Sequence, residues 1–310
     1  MATTEEIVQP MTTEDEVPHY LKALELINSN NNINSQETDL VILKEKVIVS
    51  PITGYEEQTL KTQNVTINTF IKNFNKLLYD KCEFSKKSKI KSYEDFLKYL
   101  TPQDKALLIF ALSVSTFENL GTIGHICEHC EEKFPVDIKT EELWQDDSAP
   151  APWDLTGPKE SPFDYINTQE LLGGGLIFNL KLPTEEDRIK LMDFLEGKIE
   201  QNMAENNGIF SIVETISFLT KSIIVKGKAK DGSEDEIMED LEREIIPFLQ
   251  NLPLKIKDMI LNEIDLTIFD KYMPNLYQTA NCTRCHKINK IPVNIETSFF
   301  RKSLLLLAEV

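Results

Sequence analysis

Two C-x-x-C turns set about 150 residues apart constrain this chain more than any other feature. The first reads Cys127-Glu128-His129-Cys130 and is followed, after a short charged turn, by Pro135-Val136-Asp137-Ile138. The second reads Cys282-Thr283-Arg284-Cys285 and leads, after a similar turn, into Pro292-Val293-Asn294-Ile295. Each is a tight turn running into an apolar/polar alternation, the pattern of a knuckle at the tip of a β-hairpin. Two knuckles offer four thiolates in two close pairs, the donor set of a tetrahedral structural zinc ion. Cys127, Cys130, Cys282 and Cys285 are therefore the candidate metal ligands, with Zn2+ as the expected ion. Four thiolates close the coordination sphere, so such an ion holds structure and leaves no position for substrate. Its binding free energy is then folding free energy, and it ties the middle of the chain to residues beyond 280.

Other uses of cysteine fit less well. A thioredoxin-like pair sits at a strand-to-helix junction, and neither knuckle is followed by a helical pattern. A disulfide framework leaves Cys82 over, and with no secretory signal read at the N-terminus a reducing compartment is expected. Cys82 falls at the end of an amphipathic run and reads as a packed thiol. The long separation leaves open whether the pairs share one ion, or whether each completes a site of its own with His125, His129 or His286. A large insertion must in either case loop out between the hairpins.

Charge narrows the function classes. The formal charge is −18 over 310 residues, so the chain as a whole repels phosphate, and nucleic-acid binding is not expected. The dense basic run, Lys86, Lys87, Lys89 and Lys91, lacks interleaved aromatics and reads as a solvated loop. No apolar run approaches the ~20 residues of a membrane span. Gly173-Gly174-Gly175 precedes a strand and lacks a following Lys-Ser/Thr pair, so it is no phosphate loop. Of the four histidines, His19 lies in a polar N-terminal stretch and the others flank the knuckles, so no catalytic residue is assigned.

Residues 1–38 are acidic and rich in Thr, Asn, Ser and Gln, which predicts a flexible arm; Tyr20 to Ile27 within it allows one or two helical turns. Val41, Leu43, Val47 and Val49 predict a strand or hairpin, and Ile67, Phe70, Ile71, Phe74, Leu77 and Leu78 an amphipathic helix up to Cys82. Ser92 and Thr101, each with an acid three residues on, cap two more helices, the second apolar on most faces from Ala106 to Leu120. A proline-rich linker follows from about 145 to 165, then a strand at Leu176 to Leu182 and a helix capped by Thr184 that runs to about Ala204. Ile209 to Thr220 predicts a short helix, Ile223 to Val225 a strand, and Asp231 to Glu244 a solvated acidic helix, with two more helices ending near Ile264 and Tyr272. The expected fold is α+β, mainly helical with short strands and a zinc ribbon built from two distant hairpins. Its expected parts are the arm 1–38, a core of 39–147 with 265–310, and a linker with a mainly helical insertion at 148–264. The insertion and the tail from Phe299 to Val310 are the expected contact surfaces.

Several stretches resemble one known family. Lys81-Cys82, Tyr93-Glu94-Asp95-Phe96-Leu97, Asp104-Lys105-Ala106-Leu107-Leu108, the first knuckle with Pro135-Val136-Asp137-Ile138, and the second with Pro292-Val293-Asn294-Ile295 and Phe299-Phe300 are similar to baseplate hub and hub-assembly proteins of T-even-type contractile-tailed bacteriophages. So is the early turn Ser50-Pro51-Ile52-Thr53-Gly54. The resemblance spans most of residues 40–310 and implies a non-enzymatic virion structural or assembly protein in the tail baseplate, made in the host cytoplasm. It implies other hub and tail proteins as partners, the tape-measure protein among them, and supplies no catalytic residue. A tail-assembly chaperone that leaves the virion, and a zinc-ribbon transcription or nucleic-acid-associated factor, are the alternative readings.

Overall fold

A computed structural model of the chain describes residues 35–62, 67–145, 161–199, 212–227, 234–265, 273–295 and 298. Over these the architecture is α+β. It opens with two short strands, β1 (Gln36–Asp39) and β2 (Lys46–Val49), paired antiparallel. β1 begins inside the segment whose composition predicts an arm: pairing with Lys46–Val49 supplies the apolar face that Gln36–Asp39 lacks by itself. The rest of that arm, with Tyr20 to Ile27, lies outside the described residues.

Helices α1 (Gly54–Thr62) and α2 (Ile67–Lys81) follow, and the chain returns as β3 (Cys82–Phe84) to complete a sheet of order β1-β2-β3. On α2, Ile71, Phe74 and Leu78 recur at three- and four-residue spacing and are buried. Cys82 packs against the same core, and burial pushes its thiol well above the usual range, as expected of a packing residue.

Ser92 and Thr101 cap the next two helices as the sequence predicts, accepting from the amides of Asp95 and Asp104. These are α3 (Tyr93–Tyr99) and α4 (Pro102–Thr116). α4 is buried nearly all round, which explains its apolar composition, and it ends at Thr116, short of the expected Leu120. Its first turn carries Asp104, whose two carboxylate oxygens accept from the amides of Ile42 and Leu43 at 3.0 and 2.9 Å. Burial raises the Asp104 carboxyl from 3.8 to about 6, against the pull of those amides. The loop between β1 and β2 is thus anchored to the central helix.

The first hairpin is β4 (Asn119–Ile126) with β5 (Lys133–Lys139), and β6 (Trp144–Gln145) follows it. Gly121, at φ +98°, sits at the irregularity between Asn119 and Thr122, a conformation that a side chain would strain.

The intervening region is richer in strand than its sequence predicts. β7 (Ile166–Leu171) and β8 (Leu176–Lys181) form a hairpin around a tight turn where Gly173 and Gly174 adopt positive φ, which gives the triple glycine its role. α5 (Glu185–Ile199) starts at the capping box of Thr184 and Asp187, α6 (Ile212–Leu219) follows, and β9 (Thr220–Val225) extends the sheet. Of the acidic helix expected over Asp231 to Glu244, the described residues form a strand, β10 (Glu236–Met238), and then a turn of π-helix at Leu241–Ile245. Glu236–Met238 instead pairs with Ile223–Val225, while Asp240 caps the next turn by accepting from Glu242 and Arg243. The result is an antiparallel sheet of order β10-β9-β8-β7, backed by α7 (Ile246–Asn251) and α8 (Leu254–Glu263). The chain ends its described course in the second hairpin, β11 (Leu276–Asn281) and β12 (Ile288–Pro292). The proline-rich linker over 146–160, the helix expected to end near Tyr272, and the tail from Phe299 lie outside the described residues.

Two buried apolar clusters result. One gathers Phe74, Leu78, Phe96, Leu107 and Leu112 with the inward side chains of both hairpins; the other gathers Phe178, Leu180, Ile223, Leu249 and Ile260 with Ile42 from the β1–β2 loop. A buried ion pair ties α4 to the start of α5. Lys105 Nζ on α4 lies 2.8 Å from Glu185 Oε2 at the start of α5, both side chains nearly inaccessible, and Asn75 Nδ2 donates to the same oxygen at 2.8 Å. Burial opposes ionisation of Glu185, but Lys105 and Arg188 outweigh it and lower its pKa. The Glu185 amide also donates to the Leu100 carbonyl. Farther along α5, Asp193 is reached by Asn68 and Lys72 of α2, both at 2.6 Å.

Removing only the cation from this pair strands a buried carboxylate. Lys105→Met is expected to lower unfolding free energy by about 3–5 kcal/mol in denaturant titration, and Lys105→Met with Glu185→Leu to recover most of that loss. A single variant as stable as the parent would show that the pair does not fasten α4 to α5.

Candidate metal centre

Each knuckle is built by local chemistry. In the first, the Cys127 amide donates to Glu132 O, the Glu131 amide donates back to Cys127 O, and the His129 amide points at Cys127 Sγ at 3.4 Å. The second repeats this atom for atom: Cys282 N to Lys287 O, His286 N to Cys282 O, and Arg284 N to Cys282 Sγ at 3.4 Å. The residue after the second cysteine takes a left-handed conformation in both, Glu131 at φ 60° and His286 at φ 57°. That single residue turns the chain so that both sulfurs of a pair face one way.

The hairpins then bring the pairs together. The inward positions of β5, Phe134, Val136 and Ile138, and of β12, Ile291, pack into the first apolar cluster. Two buried polar residues at inward positions clasp the hairpins. Gln278 on β11 accepts from the Lys139 amide at 3.0 Å and donates to Asp137 O at 2.8 Å, and Asn289 on β12 accepts from the Glu128 amide at 3.0 Å. β6 adds to the free edge of β11, so the chain leaving the first hairpin pairs directly with the second. The Arg284–Glu132 pair at 3.4 Å is exposed and contributes little.

The four sulfurs all lie within 4.8 Å of one another, with Cys127–Cys285 at 3.7 Å and Cys130–Cys282 at 3.6 Å. A tetrahedral ion with metal–sulfur bonds of about 2.3 Å sets its sulfurs about 3.8 Å apart, so these separations fit such a site. None of the four is in a disulfide. Cys127 and Cys282 are buried and their partners half-buried, which encloses the centre. Burial works against ionisation at Cys127, but the amides of His129 and Cys130 and the neighbouring thiols bring it down to about 6. At Cys130 the Glu132 amide favours the thiolate, yet burial and the three adjoining sulfurs push it up to about 12. Four thiolates packed this closely repel one another, and a cation at the centre offsets that repulsion.

Among the described residues the histidines stay out of this cluster. His125 packs edge-on against Phe134, His129 Nε2 lies 3.4 Å from Ile288 O, and His286 occupies the turn. The two pairs therefore form one four-sulfur cluster that can hold a single ion. Sequence reading missed Gln278 and Asn289; the available signal is a lone polar residue at an inward position of an otherwise apolar alternation.

Because Glu131 and His286 hold left-handed backbone, a β-branched residue there is strained and glycine is not. Glu131→Val or His286→Val is expected to cost about 1–2 kcal/mol in thermal or denaturant unfolding, with the glycine variants close to the parent. Equal effects of valine and glycine would remove the backbone argument. No known protein family, curated protein or solved structure matches this chain.

Proposed function

We propose that this chain is a non-enzymatic structural or assembly protein whose four cysteines hold one structural Zn2+, and that it serves in the baseplate hub of a contractile phage tail. The observation that carries the first half is the meeting of Cys127, Cys130, Cys282 and Cys285 within 4.8 Å from segments far apart in the chain. An all-sulfur tetrahedral set selects zinc over harder ions, and it leaves no coordination position for water or substrate. Such an ion clamps two hairpins and does no chemistry. The net charge of −18 further favours protein partners over nucleic acid. The second half rests on the resemblance of the stretches from Lys81-Cys82 to Pro292-Val293-Asn294-Ile295 to hub proteins, and brings other hub and tail proteins as partners.

One observation favours a nucleic-acid-associated role as the second reading. Residues 273–295 contain Arg284, Lys287 and Lys290 and no acid, and these three basic residues are exposed on the second hairpin. Binding to DNA that weakens steeply with salt would support it over the hub.

Elemental analysis is expected to give one zinc per chain, falling to none in Cys282→Ser, with loss of cooperative unfolding on chelation. Two ions per chain, or none, would break the shared site. The hub role is tested separately: tagged protein should co-purify with tail proteins from infected cells and be present in mature virions. Presence in assembly intermediates alone would assign it to the assembly chaperones, and absence from both would remove the phage-tail reading.

A further inference from the structure

The first hairpin keeps one strand edge open. β4 pairs with β5 alone, and the Cys127 amide donates to the Glu132 carbonyl, which fixes the alternation along the ladder. His125 with Phe134 and Ile123 with Val136 are then the hydrogen-bonded pairs, and the amides and carbonyls of Thr122, Gly124 and Ile126 point away from β5. The same alternation turns Asp137 O and the Lys139 amide outward on β5, and those are the two groups that Gln278 takes. It also sets Pro135, which has no amide proton, at an outward position opposite Gly124. On β4 the six outward groups have no hydrogen-bond partner among the described residues, and Thr122, Gly124 and Ile126 are exposed.

Other edge strands of the molecule are guarded. Glu37 and Asp39 stand on β1, Glu83 on β3, Glu170 on β7, Glu236 on β10, and Lys290 with Pro292 on β12. β4 carries neither a charge nor a proline from Asn119 to Ile126. Its open length is set at both ends: Gly121, at φ +98°, sits at the irregularity in the ladder, and the knuckle turns the chain away at Cys127. Ile123 and His125, on the core side, are only half-buried at this edge, and Ile126 on the other side is 62% exposed.

We propose that this edge pairs antiparallel with the same edge of a second copy, about a two-fold axis at Gly124. A strand that fits must be extended, uncharged and open over five residues, and β4 itself meets these terms. Those five residues fix the register. With Gly124 opposite Gly124 of the second copy, Thr122 lies opposite Ile126 and all six outward groups of each copy are hydrogen-bonded; any other register leaves some of them unmet. Ile126 then lies diagonal to the second copy's Gly124, where the absent side chain leaves room for it, and Ile123 meets His125 on the core side. The contact is isologous, so it closes at two copies and makes a four-stranded sheet with the two β4 strands at its centre. The inference stands independently of the zinc and phage-tail readings.

Sedimentation velocity of the full chain from about 10 µM to about 1 mM is expected to show a monomer–dimer equilibrium of the weak, transient class. Two copies of charge −18 repel while the paired strands are uncharged, so the dimer should strengthen as salt is raised. Gly124→Pro removes the central outward amide and costs the hairpin no ladder bond, and a Cβ there meets only the flexible end of Lys133. It should abolish the dimer and leave the circular dichroism spectrum unchanged. The register is tested by charge. Thr122→Lys with Ile126→Lys sets like charges opposite each other and should weaken dimerisation about tenfold, whereas Thr122→Lys with Ile126→Glu sets opposite charges across the axis and should restore it. A chain that stays monomeric over this range, a dimer indifferent to Gly124→Pro, or a Lys/Glu variant as weak as the Lys/Lys variant would each overturn the proposal.

Discussion

The four-sulfur cluster is the constraint on which the rest of the structure depends, because it is a long-range closure made by short-range geometry. Each knuckle orients its two thiols by hydrogen bonds within six residues, and the left-handed residue after the second cysteine completes the turn. Neither knuckle alone satisfies a tetrahedral ion. Their meeting therefore fixes the two hairpins face to face, and the inward side chains of both hairpins become part of the apolar cluster that also holds α2, α3 and α4. Gln278 and Asn289 set the register of one hairpin against the other with directional bonds that apolar packing cannot supply.

A closure of this kind leaves a long excursion between its ends, and that excursion is tied down independently. Lys105, Glu185 and Asn75 form a buried polar contact among α4, α5 and α2, Asp104 holds the loop from which Ile42 reaches the second apolar cluster, and Asp193 adds an exposed tie to α2. These groups are costly to bury one at a time and favourable only together, which makes the docking geometry specific. The acidic character of the chain thus has two components. Some carboxylates are solvent-facing, and a few, Asp104 and Glu185 foremost, are structural acceptors at helix starts.

What was legible in the sequence was what local chemistry writes. The caps at Ser92, Thr101 and Thr184, the apolar stripe on α2 and the knuckle spacing each depend on residues within a few positions of one another. The missed features are those decided at a distance. Ile237, Met238, Leu241 and Ile245 are spaced as one helical face, and only the availability of Ile223–Val225 as a pairing partner makes Glu236–Met238 a strand. Gln36–Asp39 looks like a polar arm until Lys46–Val49 is placed beside it. The Lys105–Glu185 pair, eighty residues apart in sequence, carries no local signature at all. The spacing of the cysteines indicated a metal, but only the positions of the hairpins show that the two pairs converge.

The placement of the thiols along the chain also bears on synthesis. Cys127 and Cys130 leave the ribosome well before Cys282 and Cys285, so the early knuckle must wait as an exposed dithiol, with one flank of its hairpin uncovered, until its counterpart arrives. Any product interrupted before Cys282 keeps the first half of the clamp and lacks the second. Completion of the ribbon thus reports that translation has passed residue 285, and an incomplete chain is left recognisable by an open thiol pair and a bare hydrophobic hairpin.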